Sequence, residues 1–334
     1  MKKISTLLFA ASLGLSSLSF AQQDPQFTQF MFCKQAYNPA VVGTNGSICF
    51  DALFRQQWVS FPGAPKTGLF GFNMNAGNFG VGLTIMNDQI GFQNTTMARI
   101  AGAYHIHIGP AGILSIGVDA GIFQSKINGA YIAPQTLNDP SIPNNNNPTG
   151  PGSPNLNKMS PDFGGGIYYT IPNKLYIGVS STHLGAEILT GGSNHVSSGG
   201  NTPTYTGYQL AYDVARHYYI MAGYTFDLAS GRDALQPNVL VKTDAASTQL
   251  DVNLTYMYKK MIGLGVSYRL QDAVAPMVVY KSPFGLRAAL SYDLTTSKIK
   301  GYSSGTWEIS LGYCMKPKDK AKTQSHWNTR FFAE

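Results

Sequence analysis

Apolar and polar residues alternate along most of the chain, and a period of two residues places successive side chains on opposite faces of a β-strand. In the stretch MARIAGAYHIHI, Ile100, Tyr104 and Ile106 share one face, while Arg99 and His105 share the other. The stretches QLDVNLTYMYK, LRAALSYDL and WEISLGYC alternate in the same way. A water-soluble sandwich would alternate too, so the period predicts strands without fixing the solvent around them.

The pattern predicts fourteen strands in one barrel domain that covers residues 47–315. The expected strands lie near residues 47–57, 66–75, 79–89, 94–108, 112–124, 161–171, 174–182, 216–227, 235–243, 248–258, 262–270, 274–281, 285–296 and 304–315. Twelve and sixteen strands are the alternatives. The stretch YTGYQLAYDV, residues 205–214, also alternates, but counting it would give fifteen strands and move the C-terminus to the opposite end. We therefore expect it to form strand-like structure within a long loop.

The connections between the predicted strands alternate in length. The tight turns NAGN, GPAG, IPNK and YKKM fall at the end of the barrel where its first strand begins and its last strand ends. The long loops, residues 125–160 and 183–215, fall at the other end. An even number of strands with short turns at one end and long loops at the other is typical of outer-membrane barrels. We therefore expect an all-β fold, a transmembrane antiparallel β-barrel.

The composition favours a membrane as the surroundings of this barrel. Charged residues make up 12% of the chain and aromatic residues another 12%, whereas charged residues are about 25% of an ordinary soluble domain. A long chain with so little charge would be poorly solvated in water, but its surface suits lipid. The formal net charge of +7 does not indicate nucleic-acid binding, because the basic residues form no patch on a predicted sheet.

Residues 1–21 have the features of a cleaved secretory signal peptide. Two lysines precede the apolar run LLFAASLGLSSLSFA, which ends with the small residues Ser19 and Ala21. The run is too short and too rich in serine to span a membrane as a helix. We expect cleavage after Ala21, so that the mature chain begins at Gln22 and is exported to the outer membrane.

Eight sequence blocks follow one another from Gln23 to the last predicted strand. They are QDPQFTQFMF, YNPAVVG, FRQQWVSFPGAPKT, VGLTIMNDQIG, FGGGIYYT, RHYYIMAGYTFDL, GLGVSYR and LSYDL. Together they resemble the PorP/SprF family of type IX secretion system outer-membrane proteins. The blocks QWVSFPGAPKT and NDQIG are the most specific, because they fall in the first two predicted outer loops with the spacing of the family.

The resemblance implies a β-barrel in the outer membrane of Bacteroidota-type bacteria. It implies a non-enzymatic component of type IX protein secretion, a system connected with gliding motility. Such a protein helps to export and anchor one large, adhesin-like surface protein with a type B C-terminal domain, and no residue here identifies that partner. Period and composition indicate only a barrel in lipid, so a porin-like diffusion channel for small solutes is the alternative function.

The stretch RQQWVSFPGAPKT places candidate partner-binding residues in the loop after the first strand. We expect Trp58 to lie on the lipid face at the outer boundary, where aromatic rings lie beside headgroups. The residues from Phe61 to Pro65 are expected to form an exposed tip that two prolines stiffen. The candidates for contact with a secreted partner are Trp58, Phe61, Pro62, Gly63 and Pro65.

Two segments flank the predicted barrel. Residues 22–46 do not alternate but contain four aromatic residues, so we expect an ordered segment that fills the lumen or docks a periplasmic partner. The tail, residues 316–334, is basic and contains the sequence HWNTRFFAE. Arg330, Phe331 and Phe332 are candidates for presenting a motif to other secretion-system proteins, and nonspecific attraction to anionic envelope material is the alternative.

Cysteine and histidine residues provide the remaining candidate chemistry. Cys49 and Cys314 are expected to point inward on the first and last strands, so either a disulfide joins them across the barrel seam or they are two small lumen-facing residues. His105 and His107 share the lumen face but lack a third metal ligand nearby, so polar lumen lining explains them better. No GxSxG, HExxH or phosphate-loop motif occurs, nor a Ser/His or Asp/His constellation suited to modifying lipid. We expect no enzyme activity, no metal and no cofactor.

Overall fold

The computed structural model of the chain describes residues 24–128, 155–185, 188–191, 194–197, 204–207, 210–228, 231–244 and 246–315. The expected signal peptide, most of the first long loop and the tail with Arg330, Phe331 and Phe332 lie outside these residues. Within the described part of the chain, no helix is both long and apolar enough to cross a membrane.

Fourteen antiparallel strands form a closed ring, which confirms the predicted fold class and strand count. The first seven ring strands are β1 (Ile48–Gln56), β2 (Lys66–Ala76), β3 (Phe79–Ile90), β4 (Gln93–Ile108), β5 (Gly112–Asn128), β6 (Asn155–Ile171) and β7 (Leu175–Thr182). Outside the ring follow β8 (Ile188–Gly191), β9 (Asn194–Ser197), β10 (Thr204–Gly207) and β11 (Leu210–Asp213). The chain continues with β12 (His217–Tyr224), the short β13 (Phe226–Asp227), β14 (Ala234–Thr243), β15 (Thr248–Tyr258), β16 (Ile262–Arg269), β17 (Ala273–Lys281), β18 (Leu286–Thr295) and β19 (Thr306–Met315).

The observed strand bounds differ from the predicted ones mainly beside the long loops. Strands β5 and β6 continue beyond their predicted ends because they pair with each other as far as Asn128 and Asn155. The strand predicted over 216–227 is interrupted at Thr225, and its last residues form β13 against β14. The stretch YTGYQLAYDV contributes to β10 and β11, which pair with β9 and β8 outside the ring, as expected for strand-like structure in the loop.

The alternating pattern separates an apolar exterior from a polar interior. On β4, Ile100 faces outward and is 70% exposed, while the neighbouring Arg99 faces inward and is buried. On β5, Val118 is 65% exposed and Asp119 is buried. The ring strands pair with each other around the whole circle, which provides the internally paired backbone that hydrocarbon surroundings require.

Residues 24–47, which we name the lumen segment, lie inside the ring. We call the end of the barrel where β1 begins and β19 ends the terminus end, and the opposite end the loop end. The lumen segment starts near Thr182 at the loop end and reaches β1 at the terminus end. It contains three short 3-10 helices, Phe30–Phe32, Lys34–Ala36 and Pro39–Val41.

Aromatic side chains of the lumen segment pack against the inner wall. Phe27 and Phe30 are each 1% exposed, and they belong to an apolar cluster that includes Met221 and Met277 of the wall. The ring of Tyr37 lies 5.2 Å from that of Tyr219. This burial explains why a non-alternating stretch rich in aromatic residues is ordered.

Glycines in the wall leave room for the lumen segment. A Cβ atom on Gly117 would lie 2.5 Å from the backbone of Ala40, and one on Gly80 would lie 2.0 Å from the carbonyl oxygen of Val42. Because no side chain fits at these distances, any larger residue would force the segment or the wall to move. The wall and the segment are therefore matched in shape.

Strands β1 and β19 close the ring, and a disulfide crosses their seam. Cys49 and Cys314 are directly opposite each other in the antiparallel register of these strands. A disulfide joins them, whereas Cys33 in the lumen segment is buried with a free thiol. The first and last strands are thus connected both by backbone hydrogen bonds and covalently.

Candidate functional site

The lumen contains a buried network of ion pairs contributed by strands near the seam. The guanidinium of Arg55 on β1 lies 2.9 Å from the carboxylate of Asp293 on β18 and 2.7 Å from that of Glu308 on β19. All three side chains are at most 2% exposed. Arg269 extends the network, with its Nη1 atom 3.3 Å from Asp293 and its Nε atom 3.0 Å from Asp251.

The lumen segment completes this network. The Thr28 hydroxyl donates to Asp293 at 2.8 Å and accepts from Arg55 at 3.0 Å. The backbone N–H groups of Thr28 and Gln29 donate to the two carboxylate oxygens of Glu308, at 2.9 and 2.7 Å. Buried carboxylates need such partners, since an unpaired buried charge is costly. The network therefore ties the middle of the lumen segment to the wall.

Asp24 anchors the lumen segment at the loop end. One carboxylate oxygen lies 2.9 Å from Nε2 of His183, and the other accepts a 2.6 Å hydrogen bond from the Tyr219 hydroxyl. The Asp24 backbone N–H donates to Nε2 of His217, and the Lys242 ammonium donates to the Asp24 carbonyl. Four residues of the wall thus hold the charged and backbone groups of a single residue.

Asp24, His183 and His217 are also the one group in the described ranges with three metal-ligand side chains close together. Their ligand atoms lie within 4.8 Å of one another, and two histidines with a carboxylate suit zinc. However, the atoms that would bind the ion already take part in hydrogen bonds. The nearby ammonium of Lys242 further disfavours a cation. The geometry fits a hydrogen-bonded anchor better, and we assign no metal to it.

The charge state of the anchor follows from its surroundings. Burial lowers the pKa of His183, but the carboxylates of Asp24 and Asp162 more than offset this and raise it to about 9. Burial raises the pKa of Asp24, but the charge of His183 and the hydrogen bonds from His183 and Tyr219 outweigh it and hold the value well below the ordinary one. At neutral pH a carboxylate and an imidazolium therefore face each other.

We expect the anchor to weaken when the pH rises through about 9. The pKa of His183 is raised by folding, so its contribution is complete below the unfolded value of about 6.5 and is lost as the imidazolium deprotonates. Hydrogen exchange in residues 24–30 should accelerate between about pH 8 and pH 10 beyond the intrinsic effect of pH. The Tyr219 hydroxyl also contacts Asp24, so the matched variant has to keep Tyr219 and remove only the imidazole. His183→Gln does this, and the extra step in hydrogen exchange should be absent in it. An identical step in that variant would contradict the assignment.

The loop with the candidate partner-binding residues is ordered by backbone contacts. Trp58 lies beyond the end of β1 with a φ of +47°, so the register of β1 does not fix the direction of its ring. Phe61 is 41% exposed, and Pro62 and Gly63 are exposed beside it. The expectation of an exposed tip as far as Pro65 was wrong, because the Pro65 carbonyl accepts from the Gln57 N–H and both Ala64 and Pro65 are buried.

The remaining candidates do not come together in one site. The ring of His105 is bonded to the carbonyl of Val42 in the lumen segment, whereas His107 is exposed. Residues 57–65, which we name the Phe61 loop, lie at the loop end, and the cysteine pair lies at the terminus end. The sequence patterns did not predict the anchor of Asp24. The signal available in the sequence was the position of His183 and His217, one at each border of the second long loop.

These features define a class of protein, an outer-membrane-type β-barrel with a lumen occupied by its own N-terminal segment. The chain belongs to the PorP/SprF family, the type IX secretion system membrane proteins, whose sequence model matches residues 19–313. This match confirms the resemblance seen in the sequence blocks. The chain is accordingly a type IX secretion component of the outer membrane.

Solved structures with a similar barrel are outer-membrane proteins. The CymD monoaromatic hydrocarbon channel is 12% identical, with 86% of this chain and 92% of that chain covered and a TM-score of 0.49. The Pseudomonas putida toluene transporter TodX is 10% identical, with coverage of 85% and 93% and a TM-score of 0.47. The Acinetobacter baumannii outer membrane protein Omp33 is 6% identical, with coverage of 81% and 100% and a TM-score of 0.43. No curated protein sequence matches the chain.

Proposed function

We propose that this chain is a non-enzymatic component of type IX secretion that helps to export and anchor one large surface protein. The partner is adhesin-like and carries a type B C-terminal domain. Membership of the PorP/SprF family supports the secretion role. The observation that favours a binding role over solute diffusion is the occupied lumen, in which the wall holds the lumen segment at Asp24 and Thr28. Partners of such a barrel would bind at its two ends rather than inside its lumen.

We place the loop end outside the cell and the terminus end in the periplasm, because outer-membrane barrels have long outer loops and short periplasmic turns. On this placement the Phe61 loop faces the secreted protein. The tail, residues 316–334, follows Met315 in the sequence, and its Arg330, Phe331 and Phe332 are the proposed contacts for secretion-system proteins. Removal of residues 1–21 by signal peptidase belongs to the same proposal.

The Phe61 loop suits a binding role because its backbone is held before any partner arrives. The Gly91 N–H donates to the Gly63 carbonyl at 2.9 Å, and Val59 exchanges backbone hydrogen bonds with residues 304–305. Trp58 and Ser60 adopt positive φ angles, a backbone conformation that costs free energy in residues other than glycine. A rigid loop loses little conformational entropy on binding. Phe61 and Pro62 can therefore act as a preformed apolar contact.

Replacing both Phe61 and Pro62 with serine should reduce co-purification of the secreted partner by about tenfold or more, since buried aromatic anchors dominate many interfaces. The measurement is quantitative mass spectrometry of the protein purified from its native envelope. Phe284→Ser is the matched control, because Phe284 is 67% exposed at the terminus end. Equal losses in both variants would remove the Phe61 loop from the proposal.

Deleting the gene tests the secretion role itself. An adhesin-like protein should then fail to reach the cell surface or should be shed, and the full chain expressed in trans should restore it. Surface proteomics of both strains measures this. If every such protein is displayed normally in the deletion strain, the proposed function is wrong.

A further inference from the structure

A cavity lies at the terminus end, between the lumen segment and the wall. Its volume is about 630 Å³, within the range of ligand-binding pockets. The charged side chains that line it are unequal in number, with one carboxylate, Asp227, against five basic residues, Lys34, Lys174, Lys260, Lys281 and Arg287. The cavity therefore has a strongly positive lining.

Three of the basic residues, Lys34, Lys174 and Lys281, have no anionic partner among the residues that the structure describes. Arg287 pairs with Asp51 at 2.6 Å, and Lys260 pairs with Asp227 at 2.7 Å. Within the described residues, the ammonium groups of Lys34 and Lys281 form neither a salt bridge nor a hydrogen bond. They lie over aromatic rings instead, Lys34 at 4.1 Å from the centroid of Tyr176 and Lys281 at 5.8 Å from that of Phe32.

The ammonium groups of Lys34 and Lys281 lie close to a third cation, Arg287. The guanidinium carbon of Arg287 is 4.4 Å from the centroid of the same Phe32 ring that Lys281 faces. Burial, and then the charge of Arg287, lower the pKa of Lys34 to about 8. Like charges in partly desolvated surroundings repel each other, and a bound anion removes this repulsion.

We propose that this cavity binds an acidic peptide segment whose carboxylates pair with Lys34 and Lys281. A single small anion would occupy little of the cavity and neutralise only part of the lining. Several carboxylates along one peptide can each face one of the cations of the lining, which are Lys34 of the lumen segment, Lys281 of β17 and Arg287 of β18. The amide side chains of Asn45, Asn173 and Gln236 also line the cavity and provide partners for a peptide backbone.

This inference goes beyond the proposed function, because it concerns the purified barrel and does not depend on which protein is secreted. Fluorescence polarisation of a labelled hexaglutamate peptide with the purified full chain in detergent micelles at low salt tests it. The protein should bind hexaglutamate in a 1:1 ratio, and a hexaglutamine peptide should not bind. Raising the salt should weaken binding.

Lys34→Gln and Lys281→Gln should each weaken hexaglutamate binding by about tenfold, as expected for the loss of a charge-assisted hydrogen bond. Lys34→Arg keeps the charge and should retain binding. Lys66→Gln removes an exposed lysine at the loop end and is the matched control. Unchanged gel mobility of the folded barrel should accompany each variant.

Three results would overturn the proposal. The first is the absence of saturable hexaglutamate binding at low salt. The second is equal weakening of that binding by Lys66→Gln and Lys34→Gln. The third is complete competition by inorganic phosphate at the same molar concentration as the peptide, which would assign the cavity to a small anion. Loss of protein secretion in cells has no bearing on any of these results.

Discussion

Replacing Arg55 with alanine is expected to destabilise the folded barrel by about 3–5 kcal/mol, the usual cost of removing one partner from a buried ion pair. Arg55 contacts Asp293 and Glu308, and all three side chains are at most 2% exposed. After the substitution Asp293 keeps Arg269 at 3.3 Å, but Glu308 retains no cation among its described ion-pair partners. The loss should also loosen the lumen segment, because Thr28 donates to the same carboxylates.

Equilibrium unfolding in urea, with the protein in lipid vesicles, measures this free energy. Lys260→Ala is the control, because its pair with Asp227 has side chains that are 51% and 60% exposed and exposed pairs contribute at most about 1 kcal/mol. The double variant Arg55→Ala, Glu308→Gln should recover part of the loss, since the unpaired charge is then absent. A loss no larger than that of Lys260→Ala would show that the network contributes little.

The sequence patterns predict the positions of these groups better than their contacts. Alternation alone places Arg55, Asp293 and Glu308 on the lumen face, and the structure confirms it. Their pairing depends on ring closure, which brings together residues separated by 238 and 253 positions along the chain. No local pattern contains that information. The family resemblance, in contrast, was available from short blocks such as NDQIG.

The lumen segment shows a second limit of sequence-based prediction. Four aromatic residues indicate that residues 22–46 are ordered, because such residues lose free energy when they stay in water. Whether they pack inside the barrel or against another protein depends on the shape of the wall. Gly117 and Gly80 provide that shape, yet a glycine in a strand has the same sequence signature at a bulge or a close contact.

Removing residues 24–44 is expected to convert the closed barrel into an ion-conducting channel. The lumen segment fills the ring with Phe27, Phe30 and Tyr37, and its loss would leave polar wall residues facing water. Barrels only slightly larger than fourteen strands enclose aqueous channels. Single-channel recording in planar bilayers should show no open steps for the full chain and discrete steps for the deletion. Conductance of the full chain as large as that of the deletion would instead favour a diffusion channel.

A single substitution should produce part of the same change without removing any residue. A valine at Gly117 would bring Cβ to within 2.5 Å of Ala40, so the lumen segment has to move, and brief openings are expected. Gly102→Val is the matched control, because Gly102 faces outward on the neighbouring strand and a Cβ there meets nothing within 4 Å. Valine suits a strand at both positions, so only the contact with Ala40 differs. If Gly117→Val stays as closed as Gly102→Val while the deletion conducts, the fit at this glycine does not hold the segment in place.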